Sequence, residues 1–241
     1  MDIIYGRNPV LEALKSDQDI ERVYIQDSIS GEFEKEIRSL CKSKDIPLNR
    51  VPKNKLDAEV KGNHQGIFAR AAIIKYTDME VLVRILLHKG ENPVLLLLDG
   101  IQDVRNLGAI ARSAEIFGAH ALVIPSKKSA PLNEVAIKAS AGALGHIPIC
   151  RVSNLSSAIE WLCRNDIEIF GAETGGSIPL QDLDFSGPSA IVLGAEGKGI
   201  DRNLKIYFDH HFHIPQVGNT DSLNVSVAAG IILYEICKQR L

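Results

Sequence analysis

The chain has no apolar run long enough to cross a bilayer. The longest, Val94-Leu-Leu-Leu-Leu98, falls far short of the roughly 20 residues a spanning helix needs. Its start, Met1-Asp-Ile-Ile-Tyr-Gly6, has neither the charged nor the apolar region of a signal peptide, so a cytoplasmic location is expected. The four cysteines, Cys41, Cys150, Cys163 and Cys237, are widely spaced and form no Cys-x-x-Cys pair, which argues against a zinc site and a disulfide framework and leaves them as buried thiols. A net charge of −3 excludes a globally basic nucleic-acid binder but not a local basic face. There is no internal repeat, no low-complexity tract and no Gly-x-Ser-x-Gly elbow, so a hydrolase reading has little support.

What is present is 241 residues with 45% hydrophobic content, enough for one large or two modest folded domains. Residues 1–75 read as a small α/β unit. Asn8-Pro9 suits a helix start, with Asn as N-cap and Pro in first position; 22–26 suits a strand, 32–44 an amphipathic helix, and Gly62-Asn-His-Gln-Gly66 a turn into a strand at 67–71. Charge is nearly balanced there, 13 Lys+Arg against 12 Asp+Glu, and the acidity lies in the remainder, 14 against 18. Residues 76–92 are expected to join the halves, with a helix at 78–88. From 93 to 241 strands alternate with helices: strands at 94–98, 121–124, 147–152, 168–172, 190–193 and 211–214, and helices at 107–117, 133–144, 156–164 and 222–239. This alternation predicts an α/β fold with a mostly parallel sheet and helices on both faces.

Three polar, glycine-punctuated segments each end one of the apolar runs: Asp99-Gly-Ile-Gln-Asp-Val-Arg-Asn-Leu-Gly-Ala-Ile-Ala-Arg112, Leu193-Gly-Ala-Glu-Gly-Lys-Gly-Ile200 and Ile214-Pro-Gln-Val-Gly-Asn-Thr-Asp-Ser-Leu-Asn-Val-Ser226. Such runs are buried parallel strands, and glycine with polar residues at their carboxyl ends marks a ligand crevice. The glycines at 194, 197 and 199 fit neither a phosphate loop nor a dinucleotide fingerprint, so a nicotinamide dehydrogenase is disfavoured and an ordinary tight turn stays open. Asn106 is expected near a helix N-cap. Arg112, less than two turns on, is flanked by Ile110, Ala111, Ala114 and Phe117, a setting that suits a guanidinium binding a carboxylate or phosphate. Ser222, Asn224 and Ser226 crowd the expected start of the last helix, where capping alone could explain them. His211 and His213 share a strand face, but without a carboxylate or cysteine at ligand spacing a metal site is not expected.

Together, in this order and spacing, these segments resemble the SpoU (TrmH) family of RNA ribose 2′-O-methyltransferases: Asp-Gly-x-x-Asp-x-x-Asn-x-Gly-Ala-Ile-x-Arg from Asp99, Gly-Ala-Glu-Gly-x-Gly from Gly194, and Ile-Pro…Ser-Leu-Asn-Val-Ser-Val-Ala from Ile214, with Lys138-Ala-Ser-Ala-Gly-Ala143 as a further matching segment. In the first half, Tyr5-Gly-Arg-Asn-Pro-Val-Leu-Glu-Ala-Leu14 and His64-Gln-Gly-Ile-Phe-Ala-Arg70 resemble the amino-terminal RNA-binding domain of family members that methylate a guanosine of large-subunit (23S) rRNA. Val104 and Gln216 stand where many relatives carry Pro and Met.

The resemblance implies a sheet whose carboxyl-terminal segment is threaded as a deep trefoil knot, an arrangement that physical priors disfavour. It also implies a homodimer and the cofactor S-adenosylmethionine. Gly194, Ile214 and Leu223 match the family's cofactor contacts, with Thr174, Gly175, Leu193, Glu196, Gly197, Pro215 and Ser222 completing the pocket. Arg112 is expected to clamp the phosphate beside the target ribose and stabilise the developing alkoxide. The family has also been proposed to use this Arg as the base, but a guanidinium pKa above about 12 favours the clamp. Asn106, Glu196, Ser222 and Asn224 would orient Arg112, ribose and cofactor. Arg7, Asn8, His64, Gln65 and Arg70 are the candidates for recognising RNA. A tRNA 2′-O-methyltransferase of the same family and a non-catalytic RNA-binding or ribosome-assembly factor are the alternatives.

Overall fold

A computed structural model describes residues 2–241, which divide into two compact units meeting at Lys75 and Tyr76. Among the described residues no helix is long and apolar enough to cross a membrane.

The first unit runs β1 (Ile3–Tyr5), α1 (Arg7–Lys15), β2 (Ile20–Gln26), α2 (Glu32–Ser43), β3 (Leu48–Val51), α3 (Lys53–Glu59) and β4 (Ile67–Ala71). Its sheet has the order β1-β4-β2-β3, antiparallel except for β2 with β3. Period-two alternation along β4 feeds two cores. Ile67 and Ala69 join Val10, Leu14, Ile25 and Ile37 under α1 and α2, whereas Phe68 points the other way to Leu56 of α3 and stacks on Tyr24 with ring centroids 4.6 Å apart.

The expected cap of α1 is corrected. The helix starts at Arg7, after Gly6 at φ 94°, so Pro9 is its third residue and Asn8 is not the N-cap. The cap comes from elsewhere in the chain: Gln65 Oε1 accepts from the Arg7 N–H at 2.9 Å.

The second unit runs β5 (Tyr76–Thr77), α4 (Met79–His88), β6 (Val94–Asp99), α5 (Val104–Ile116), β7 (Ala121–Pro125), α6 (Glu134–Ala139), β8 (Ile149–Val152), α7 (Leu155–Cys163), β9 (Glu168–Ala172), β10 (Ile178–Pro179), β11 (Ser189–Gly194), α8 (Arg202–Lys205), β12 (His210–His213) and α9 (Val225–Arg240). Its eight strands pair in the order β10-β12-β9-β11-β6-β7-β8-β5, parallel throughout. Helices cover both faces, which is why β6, β7 and β11 are continuously apolar. On one face Leu95, Leu97, Val123, Ile169 and Val192 pack with Met79 and Val83 of α4 and Leu155, Ile159 and Leu162 of α7. On the other, α5 and α9 lie against each other and on β7 and β11.

Residues 76–92 thus carry an edge strand and a helix that build the second unit's own core. Asp78 caps that helix by accepting from the Val81 N–H at 2.9 Å. The cysteines are not uniformly buried: Cys41 and Cys150 are, but Cys163, the last residue of α7, is exposed and Cys237 partly so.

Candidate active site

Three loops leave the carboxyl ends of β6, β11 and, one strand beyond β11 across β9, β12. β6 delivers Asp99, followed by Gly100 at φ 71°. β11 delivers Gly194, and β12 delivers Ile214. The Gly194 loop is tight. A Cβ on Gly194 would sit 2.2 Å from the Gly199 carbonyl carbon and 2.4 Å from the Ile200 nitrogen, both backbone atoms with nowhere to go. The Gly199 N–H closes the turn on the Ala195 carbonyl at 2.8 Å, and Asp99 Oδ2 accepts from the Asp201 N–H at 2.7 Å, tying the far side of the loop to β6.

Asn106, Glu196 and Asn224 meet where these loops converge, although 118 residues separate the two asparagines. Asn106 Nδ2 donates to Glu196 Oε1 at 3.3 Å, and Asn224 Nδ2 donates to Asn106 Oδ1 at 3.1 Å and to the same Glu196 oxygen. A carboxylate oxygen that accepts from two amide donors is held in place by them.

Two expected caps shift. Asp103, not Asn106, caps α5 by accepting from the Arg105 N–H at 2.7 Å, which puts Asn106 inside the first turn. The last helix starts at Val225, three residues beyond Ser222; Asn224 caps it, its Oδ1 accepting from the Ser226 N–H at 2.9 Å and the Ser226 hydroxyl at 2.6 Å. Ser222 and Leu223 lie in the exposed loop before it. Arg112 is exposed, and among the described residues it makes no hydrogen bond or ion pair; Ile110, Ala111 and Ala114 around it turn into the core instead.

Beside the Asn106–Glu196–Asn224 network lies a cavity of about 840 Å³, in the range of roughly 300–1,000 Å³ typical of small-ligand sites. Its lining includes Thr174, Gly175, Leu193, Gly194, Glu196, Gly197, Ile214, Ser222 and Leu223; Pro215 is not part of it. A Cβ on Gly175 or Gly197 would meet nothing within 4 Å, so backbone is open to a ligand at both. Apolar walls from Leu193, Ile214, Val225 and Ile232 with bare backbone at the lips suit a flat heterocycle carrying a polar tail.

The sequence reading missed Glu173 and Lys205, which also line the cavity. Lys205 pairs with Glu173 Oε2, and His211 Nδ1 approaches Glu173 Oε1 at 2.7 Å. Burial pushes the Glu173 carboxyl up, but the hydrogen bonds and charges of Lys205 and His211 outweigh it and hold it below its ordinary range. The signal was an acidic residue directly after a buried strand; its partners lie 32 and 38 residues away and left no local trace. His213 turns its Nδ1 to the Gly176 carbonyl at 2.8 Å, and no group of three or more His, Cys, Asp or Glu among the described residues could hold a metal.

In the first unit, the RNA candidates are mostly engaged internally. His64 is buried, its Nε2 2.8 Å from Asp57 Oδ1 and its Nδ1 accepting from the Gly66 N–H at 2.9 Å. Gln65 caps α1, Arg70 pairs with Glu59 at 2.8 Å, and the Arg7 guanidinium lies 4.8 Å from the centre of the Phe33 ring. Asn8 is exposed.

Residues 93–234 match the SpoU rRNA Methylase family, and residues 3–77 match the RNA 2′-O ribose methyltransferase substrate-binding domain. The chain belongs to the SpoU family. It is 37% identical over 240 residues to YacO of Bacillus subtilis, assigned to the TrmH family of tRNA/rRNA methyltransferases, covering 99% of this chain and 96% of that protein. A Staphylococcus saprophyticus protein of the same assignment is 38% identical over 238 residues, with the same coverage. Among solved structures, the SpoU methyltransferase AviRb of Streptomyces viridochromogenes, in complex with AdoMet, superposes with a TM-score of 0.63 at 24% identity over 99% of this chain and 90% of that one. An AdoMet-bound rRNA methyltransferase of Sinorhizobium meliloti gives 0.64 at 23% identity, covering 99% and 87%. These two likenesses establish the fold, and the family membership makes the chain an RNA methyltransferase of the SpoU/TrmH type.

Proposed function

We propose that the protein methylates a ribose 2′-hydroxyl of RNA with S-adenosylmethionine as donor, and that the target is a guanosine of 23S rRNA. The observation that carries this is the Asn106–Glu196–Asn224 network at the lip of a cavity of nucleoside-cofactor size, with the unpaired Arg112 further along the same helix as Asn106.

The cofactor, when bound, supplies a methyl group on a sulfonium. The protein's part is to hold the nucleophile in line with it and to lower the cost of charge on the 2′-oxygen. An exposed guanidinium without a partner among the described residues is available to an RNA phosphate, and Arg112 in that role would clamp the target nucleotide and stabilise the developing alkoxide. Glu196, fixed by two amides, orients the cofactor loop, and Ser222 and Leu223 close the cavity from the loop before α9. The cofactor contacts in this reading are those nine cavity residues.

We also take the chain to be a cytoplasmic homodimer. Val227, Ile231 and Tyr234 form an exposed apolar stripe along α9, Ile116 of α5 is 60% exposed, and Phe117 meets Tyr234 edge-on at 6.0 Å. A stripe of this kind is the ordinary mark of a protein interface. The deep trefoil knot is part of this proposal, with which the position of the last strand, β12, between β10 and β9 is compatible. RNA recognition is assigned to the first unit, with Asn8 and the Arg7 and Arg70 guanidinia as contacts; His64 and Gln65 would act by shaping the turn that presents them.

The test is tritium transfer from labelled S-adenosylmethionine to unmodified 23S rRNA and to bulk tRNA, with the labelled nucleotide mapped. Label on a ribose of 23S rRNA, lost by at least about a hundredfold in Arg112→Ala with cofactor affinity unchanged, is the expected result. Label on tRNA alone would move the substrate to the tRNA reading, and near-wild-type turnover by Arg112→Ala would overturn the clamp.

A further inference from the structure

Glu173 is the first residue beyond β9, and β9 pairs with β11 so that Ala172 stands opposite Leu193. Its carboxylate therefore emerges beside the glycine loop that leaves β11. On its other side Phe212 of β12 is paired with Ala172, and the Glu173 N–H donates to the Phe212 carbonyl at 2.9 Å, so the strand leading to Ile214 runs alongside as well. The side chain is 20% exposed and faces the cavity, with one oxygen held by His211 and the other by Lys205. Each oxygen of a carboxylate has a second lone pair, so both can still accept from a ligand.

In parallel sheets that bind nucleotides at a glycine loop, an acidic side chain at the end of a second strand accepts from ribose hydroxyls. The juxtaposition of Glu173 and the Gly194 loop is the same chemistry with a different loop sequence. We propose that Glu173 is a specificity-determining residue of the cofactor pocket, accepting hydrogen bonds from the ribose 2′- and 3′-hydroxyls of the adenosine, with Lys205 and His211 as positioning residues that aim its two oxygens. This rests on the S-adenosylmethionine reading given above. A purely structural Glu173–Lys205 ion pair would affect stability but would not distinguish one nucleoside from another.

The experiment is calorimetric titration of the full chain with S-adenosylhomocysteine and with its 2′-deoxy and 3′-deoxy analogues, for the wild type and for Glu173→Gln. In the wild type, removing a hydroxyl that bonds a carboxylate should weaken binding about tenfold or more. In Glu173→Gln the same deletion should cost about threefold or less, because the charged acceptor is already gone. Equal losses in both proteins, or no loss in the wild type, would overturn the ribose assignment; the second outcome is read from the wild type alone and does not depend on how well the variant folds. If the wild type fails to bind S-adenosylhomocysteine at all, the cofactor reading itself falls and the ribose assignment with it, an outcome distinct from tight binding that ignores the hydroxyls.

Discussion

Asn224 does two jobs with the two ends of one amide, and two substitutions separate them. Its Oδ1 caps α9, and its Nδ2 donates to Asn106 and Glu196. Asn224→Ala removes both functions. Loss of an N-cap costs about 1 kcal/mol, which lowers Tm by about 2–4 °C in a chain of this length. Asn224→Asp keeps the cap, because Asp and Asn cap equally well, but turns a carboxylate towards Glu196. The site is exposed, so that repulsion is screened to about 1 kcal/mol or less, and the helix N-terminus returns about 0.3–1 kcal/mol to a negative cap.

Asn224→Asp should therefore melt within about 2 °C of the wild type. Catalysis responds differently, since both variants remove an amide donor from Glu196. A hydrogen bond to a charged group is worth about 1.5–3 kcal/mol, so kcat/KM for RNA methylation should fall by about 10- to 150-fold in each. Calorimetric melting alongside single-turnover tritium transfer reads the two effects separately. Wild-type turnover by Asn224→Asp would refute the role given to the Asn106–Glu196–Asn224 network. An Asn224→Ala defect that disappears on cooling would reduce the residue to a cap.

Gly194→Ala forces a Cβ to within 2.2 Å of backbone at Gly199, so the 195–199 loop must move; binding of S-adenosylhomocysteine should drop by about tenfold or more, and unchanged affinity would show that the loop does not contact the cofactor. Glu173 has its folded-state pKa held below the ordinary 4.5, so the stability it contributes is complete above that value and is lost as pH falls through the lower, folded-state value. Urea midpoints of the wild type and Glu173→Gln should differ at pH 7 and converge as pH falls through the lowered, folded-state value; a gap that widens in acid would contradict the Lys205 and His211 pairing. Tyr234→Asp, on the exposed stripe of α9, should convert a dimer to a monomer in light scattering while leaving S-adenosylhomocysteine affinity within about twofold, and an unchanged mass would remove that stripe from the interface.

The parts legible in the sequence were those whose cause is local. β6 and β11 are buried on both faces, so their composition alone marks them, and glycines immediately after them mark the crevice. The network at the crevice was not legible from spacing: Asn106 looked like a cap until Asp103 proved to be closer to the helix start, and only the family resemblance joined it to Glu196 and Asn224. Likewise nothing local shows that the side-chain oxygen of Gln65 caps a helix 58 residues earlier, which it does because Gly6 leaves that helix without a side chain of its own to do so. Short strands such as β1, β5 and β10 carry two or three residues, too few to show a period, and exist because a neighbour offers an edge. The start of α9 was expected three residues early because Ser222 is as good a cap as Asn224 in isolation. What selects Asn224 is its second set of bonds, to Asn106 and Glu196, which fix where the loop must end.

The same helix explains how residues so distant in the chain keep one geometry. At its carboxyl end Arg240 donates to the carbonyls of Asn92, Phe185 and Gly187, which lie just before β6 and β11; at its amino end Asn224 reaches Asn106 in the first turn of α5, the helix after β6, and Glu196 in the loop after β11. A 16-residue helix spans about 24 Å and a six-residue strand about 20 Å, so α9 runs the length of the two central strands and is tied to both of their ends. Groups held on rigid elements keep their positions better than groups carried by loops alone. Asn106 and Asn224 are set by α5 and α9 in this way, and Glu196, though on a loop, is held by both of them. The loops at 173–176, 195–199 and 214–223 are thereby left to shape the cavity, where Glu173 and Gln216 stand beside the network without taking part in it.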